Sequence, residues 1–129
     1  MEMGEPARQP VEILVTDWLL IDAVVDNEVS VEAVDGDSRG VVALGSAVRE
    51  AGWDALPDWP VDPAGFADWP QPGRRVTIAL TDPQWSLVVD ALERWAAVGA
   101  QRADVGRAEE SMRFRAIAER LRRDLDMSG

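Results

Sequence analysis

The chain has 129 residues with 13 basic against 24 acidic side chains, a net charge of −11 and no His, Cys or Tyr, and because it also lacks Lys every basic residue is Arg. That composition excludes the imidazole base, the thiolate nucleophile, the Schiff-base amine and the phenolic acid, leaving carboxylates, hydroxyls and guanidinium groups. A chain of this length is expected to form one domain that buries roughly 65–70% of its unfolded surface without disulfide or metal staples.

The residues from Met1 to Pro10 are polar and acidic and read as a flexible start, where a secretory leader would need a basic and then an apolar stretch. No apolar run reaches the length of a membrane span, since Asp17, Asp22 and Asp26 interrupt the best candidate. A soluble, cytoplasmic protein is the expectation.

A short strand is expected at about residues 11–16, where Val11, Ile13 and Val15 alternate with polar neighbours, followed by a helix. Glu28-Val29-Ser30-Val31-Glu32-Ala33 alternates with period two and runs into the turn dipeptide Asp35-Gly36, so a second strand is expected there. Val41, Leu44, Val48 and Ala51 recur at helical spacing, with Ser38 near the cap and Gly52 as the stop.

The stretch 53–73 reads as an extended connection between two halves. Pro57, Pro60, Pro63, Pro70 and Pro72 forbid a regular helix or inner strand, and Asp58-Trp59-Pro60 recurs as Asp68-Trp69-Pro70. The stretch exceeds the usual length of structureless loops, so it is either functional or held down by its own aromatic rings.

Past this connection a strand is expected at about 75–80, from the alternation of Val76, Ile78 and Leu80. Asp82 then serves as N-cap and Pro83 as the first residue of a helix running to about Gly99, with Trp85, Val88, Val89, Leu92, Trp95 and Ala96 on its apolar stripe. A polar break from Gln101 to Gly106 precedes a last helix with the stripe Phe114, Ile117, Ala118, Leu121 and Leu125, and these two helices should pack as an antiparallel hairpin. Val11–Asp17 can be laid over Val76–Asp82, which suggests an internal strand–helix duplication. The fold class is therefore α+β.

Charge is uneven along the chain. Met1–Pro72 carries 15 acidic residues against 3 Arg, whereas Gly73–Gly129 carries 9 against 10. The acidic half would repel nucleic acid, and an acidic surface attracts a basic partner or simply keeps the chain in solution. On the last helix Arg113, Arg120 and Arg123 would suit that acidic half, in the same chain or across a homodimer.

Several constellations point to chemistry only weakly. Asp35-Gly36-Asp37-Ser38-Arg39-Gly40 starts like a calcium loop, but Arg39 and Ser46 stand where oxygen ligands belong, so a plain turn with a helix cap is the reading. Asp22 with Asp26, and Glu109 beside Glu110, are carboxylate pairs best explained as solvated surface. No serine has a His or Lys to activate it.

The leading expectation is a non-enzymatic acidic interaction protein, an adaptor, inhibitor or immunity-type binder of a protein partner. The candidate partner-binding residues are Trp53, Asp58, Trp59, Phe66, Asp68 and Trp69, because tryptophan dominates interface hot spots and proline pre-orders the backbone that carries it. No cofactor, metal or catalytic residue is assigned. A carboxylate-dependent hydrolase or divalent-metal enzyme and a structural homo-oligomer subunit are the alternatives from other classes.

Overall fold

A computed structural model of the protein describes residues 7–56, 69–100 and 105–125. Two strands and four helices follow in the order β1 (Arg8–Leu14), α1 (Val15–Val34), α2 (Val41–Asp54), β2 (Arg75–Thr81), α3 (Asp82–Ala100) and α4 (Val105–Asp124). The α+β class and the C-terminal helical hairpin hold. The order strand, helix, helix occurs twice, before and after residues 57–68.

β1 and β2 form an antiparallel two-stranded sheet with Val11 opposite Ile78 and Ile13 opposite Val76. One face, made of Val11, Ile13, Val76, Ile78 and Leu80, is buried in the same apolar cluster as the helices. The other face is wet. Val15 N donates to Arg74 O at 2.9 Å, which prolongs the ladder by one pair and sets its phase. Bonded pairs alternate along an antiparallel ladder. The odd-numbered residues of β1 and the even-numbered residues of β2 therefore turn their backbone polar groups toward each other. Pro10 sits at an outward-facing position of β1, where a missing N–H leaves the ladder intact.

β1 passes into α1 with no intervening loop, and Leu14 at the helix start makes no side-chain cap bond. The buried positions of α1 are Val15, Trp18, Ile21, Val24, Val25, Glu28 and Glu32, a helical stripe that ends in two glutamates. Val31 and Val34 lie outside it, 49% and 86% exposed. The strand expected at residues 28–33 is thus corrected. Glu28 and Glu32 lie one helical turn apart and face inward onto arginines. Within this stretch Val29 packs partly buried against α2 and Val31 is exposed, so the period-two alternation does not mark one buried face.

The helix ends at Gly36 with φ 91°, where Asp37 N returns to Glu32 O at 2.7 Å in the arrangement typical of a left-handed helix terminus. Asp37, not Ser38, caps the next helix. Its Oδ1 accepts from Val41 N at 2.6 Å and Val42 N at 3.1 Å, satisfying two amides that would otherwise be orphaned.

Gly52 does not end α2, which continues to Asp54. The glycine is there for proximity, since a Cβ would overlap the six-membered ring of Trp18, and a Cβ on Gly45 would strike Val29. Two glycines seven residues apart thus let α1 and α2 approach closely. Trp18 is 1% exposed, and its Nε1 has no hydrogen-bond partner among the described residues. An unsatisfied donor costs about 1–3 kcal/mol. Burying an indole of about 150–250 Å² returns roughly 4–6 kcal/mol, so packing wins.

In the second half the cap of α3 lies one residue earlier than expected. Thr81 Oγ1 accepts from Gln84 N at 3.4 Å while Gln84 Oε1 accepts from Thr81 N at 2.8 Å, a reciprocal capping box. Asp82 and Pro83 then occupy the first turn, where an acid and a residue without N–H are both suited. The stripes of α3 and α4 are buried as expected, except that Trp95 is only partly buried.

Alanine ordinarily stabilises a helix relative to glycine by up to about 1 kcal/mol. At position 52 the sign should reverse: Gly52→Ala is expected to cost about 1–3 kcal/mol through overpacking against Trp18. A lower urea midpoint at unchanged slope would show it, and a midpoint equal to or above that of the parent would contradict this account of the α1–α2 contact.

Candidate functional site

Four of the five acidic residues of α1 are organised in two pairs, each one helical turn apart and each met by arginine and an indole N–H. In the first pair, Arg49 Nε donates to Asp22 Oδ1 at 2.9 Å and Arg49 Nη1 to Asp26 Oδ1 at 2.9 Å, while Trp53 Nε1 donates to Asp22 Oδ1 at 3.1 Å. The hydrogen bond that Arg49 donates to Asp22 is the main reason that the Arg49 pKa is raised above its ordinary value. The expectation of plain surface solvation is corrected for Asp22, which ties α1 to α2, whereas Asp26 is exposed beside the same arginine.

The second pair is more deeply placed. Glu28 is 3% exposed, and its two oxygens accept from Arg94 Nη1 at 2.7 Å, Arg39 Nη2 at 3.2 Å and Trp95 Nε1 at 3.1 Å. Arg39 Nε donates to Glu32 at 2.7 Å and Arg39 Nη2 donates to the same oxygen, which raises the Arg39 pKa further above its usual value. This cluster escaped the sequence reading. Its signal was two glutamates one helical turn apart that continue the stripe of Ile21, Val24 and Val25.

The six candidate partner-binding residues divide. Asp58, Trp59, Phe66 and Asp68 lie outside the described residues. Trp53 belongs to the last turn of α2 and packs partly buried on the core, edge-on to Trp18 with ring centroids 6.4 Å apart. Trp69 also packs partly buried on the core, with the Arg74 guanidinium 6.0 Å from its ring centre, within the range of a cation–π contact. Both rings flank the Trp/Pro stretch, so its two ends are fixed to the body of the domain.

Arg113 and Arg120 do meet the acidic half within one chain. Arg113 Nη2 lies 3.4 Å from Asp17 Oδ1, and Arg120 Nη2 donates to Glu12 O at 3.5 Å. Arg122 instead binds Glu93 across the hairpin, at 3.1 and 2.7 Å. These are exposed pairs worth about 0–1 kcal/mol each.

Open carboxylates include a pair on α2, besides Asp35, Asp82, Asp90, Glu109, Glu110 and Glu119 on other parts of the chain. Glu50 and Asp54 are exposed one turn apart and line a cleft of about 290 Å³ with Arg8, Ala47, Ala51 and Gln84. The chain carries five acidic residues from Glu50 to Gly73 (Glu50, Asp54, Asp58, Asp62 and Asp68) and no basic one. Among the described residues no three acidic side chains converge as a metal site, and no helix is long and apolar enough to cross a membrane. Comparison with known families, curated proteins and solved structures finds no match to this chain.

Removing one partner of a buried ion pair leaves the others desolvated and uncompensated. The side chains of Arg39 and Arg94 are 45% and 46% exposed, so solvent offsets part of that loss. Glu28→Ala is accordingly expected to cost about 2 kcal/mol and Glu93→Ala less than about 1 kcal/mol. Urea denaturation of the two variants checks the ordering, and equal losses would mean that the buried cluster is no more than a surface pair.

Proposed function

We propose that the protein is a non-enzymatic acidic interaction protein, an adaptor, inhibitor or immunity-type binder, that engages a protein partner with a basic surface. The binding surface is the outer face of α2 with the Trp/Pro stretch that follows it. The protein acts in the cytoplasm without cofactor, nucleic acid or membrane.

The observation that carries this reading is the contrast between the carboxylates of α1 and the pair near the end of α2. Those on α1 are taken by arginines and indoles of the same chain, whereas Glu50 and Asp54 stay open at a cleft and continue into an acid-only stretch rich in tryptophan. Long-range charge of one sign accelerates encounter with a basic protein, and apolar rings with a proline-ordered backbone supply the short-range contact. Trp53 and Trp69, which stand on either side of residues 57–68 in the sequence, pack partly buried on the core. The direct contacts in this proposal come from Trp59 and Phe66.

Affinity capture from the native lysate with the intact protein as bait, read by mass spectrometry, tests the proposal. Capture of a basic protein is expected, falling about tenfold or more for Glu50→Arg with Asp54→Arg and for Trp59→Ala, and weakening as salt is raised. Retention of the same partner at equal yield by all three baits would refute it, as would capture of no protein at all.

A further inference from the structure

The two edges of the β-sheet are not alike. The outward-facing residues of β1 are Arg8, Pro10, Glu12 and Leu14. Pro10 has no N–H to offer, and the Glu12 carbonyl accepts from Arg120. That edge is blunted.

The outward-facing residues of β2 are Arg75, Thr77, Ala79 and Thr81. Thr81 N is satisfied by the capping box with Gln84. The backbone N–H and C=O groups of Thr77 and Ala79 have no partner among the described residues, and the side chains of Arg75, Thr77 and Ala79 are all exposed. An open edge of this kind is a template for another strand.

We infer that the outer edge of β2 pairs antiparallel with the same edge of a second copy of this chain, about a two-fold axis at Thr77, to make a continuous four-stranded sheet. The choice of occupant rests on self-complementarity. With the axis at Thr77, each Thr77 faces the other, a favourable cross-strand pair, and each Arg75 faces Ala79 of the second copy, so no like charges oppose. On the covered side Val76 comes opposite Ile78 of the second copy and vice versa, which prolongs the apolar face from two strands to four. Up to about six backbone hydrogen bonds form in this register, two for each of the pairs 75–79, 77–77 and 79–75. A two-stranded sheet is marginal by itself, and closing one of its edges is a physical reason for the association. Arg75 is the charged residue of this edge and lies 3.9 Å from Glu12 of β1 in its own chain, so no unpaired acid stands on the pairing edge.

This inference is independent of the proposed partner surface on α2, and its test separates the two. The chain contains no cysteine, so Thr77→Cys introduces a single thiol. Across the two-fold axis these two positions form a directly bonded pair with Cα atoms about 5.5 Å apart, within disulfide range. Two copies of Ala79→Cys would instead place their Cα atoms roughly 14 Å apart, beyond that range.

Sedimentation equilibrium of the unmodified chain from about 1 to 200 µM should show a mass rising from monomer to dimer. Mild oxidation should convert Thr77→Cys, and not Ala79→Cys, to a reducible covalent dimer. Thr77→Pro removes an N–H that the β1–β2 ladder does not use, in the manner of Pro10, and is expected to stay monomeric. Should that variant fail to fold, the two cysteine variants still decide. A monomeric mass across the whole range, or equal crosslinking by Thr77→Cys and Ala79→Cys, overturns the inference, including in favour of a strand donated by a different protein.

Discussion

A carboxylate taken out of water must be met by donors on all sides, or the helix that carries it will not pack. Glu28 is that group in this protein. Its oxygens collect Arg94 and Trp95 from α3 and Arg39 from the turn after α1, and Arg39 reaches on to Glu32. Three separated parts of the chain are thereby held in one register: the end of α1, the turn that launches α2, and the C-terminal half of α3. An apolar side chain at position 28 would tolerate sliding and rotation of α1 over α3, whereas fixed hydrogen-bond directions to two guanidinium groups and an indole permit much less.

The contact between α1 and α2 is set by a different constraint, and the two are complementary. Gly45 and Gly52 remove side chains so that Val29 and the Trp18 ring fit against α2, and Arg49 and Trp53 then close over Asp22 from the same helix. Close approach and polar closure alternate along α2: Gly45, Arg49, Gly52 and Trp53 all face α1. With the α1 acids held in this way, Glu50 and Asp54 are the carboxylates of α2 left open at the surface. This is why the proposed binding surface is described by Glu50 and Asp54 together with the tryptophans, and not by the tryptophans alone.

Where apolar side chains carried the pattern, the elements were legible from residue order. The stripe of α4 from Phe114 to Leu125, the stripe of α3 and the buried faces of both strands recur at the expected spacing, because each residue on them is buried for its own apolar surface. The reading failed where polar side chains were buried by partners remote in sequence. Residues 28–33 alternate like a strand, but Glu28 and Glu32 are buried on the helix stripe by Arg39 and Arg94, and Arg94 lies 66 residues from Glu28. Gly52 was mistaken for a helix stop for a related reason, since its role depends on a ring 34 positions earlier in the chain. In the candidate site Trp53 and Trp69 were expected to meet a partner, whereas both pack partly buried on the core, a placement that depends on groups remote in sequence.

By itself, residue order determined the α+β class, the helical hairpin, the acid-rich first half and the lack of the usual catalytic side chains, since all of these follow from local periodicity and composition. Tertiary structure alone decided which carboxylates are internal ties and which remain open, and which sheet edge is blunted and which is bare. Whether a charge or a backbone amide is satisfied depends on groups brought near it in space, and no local pattern along the chain encodes that proximity.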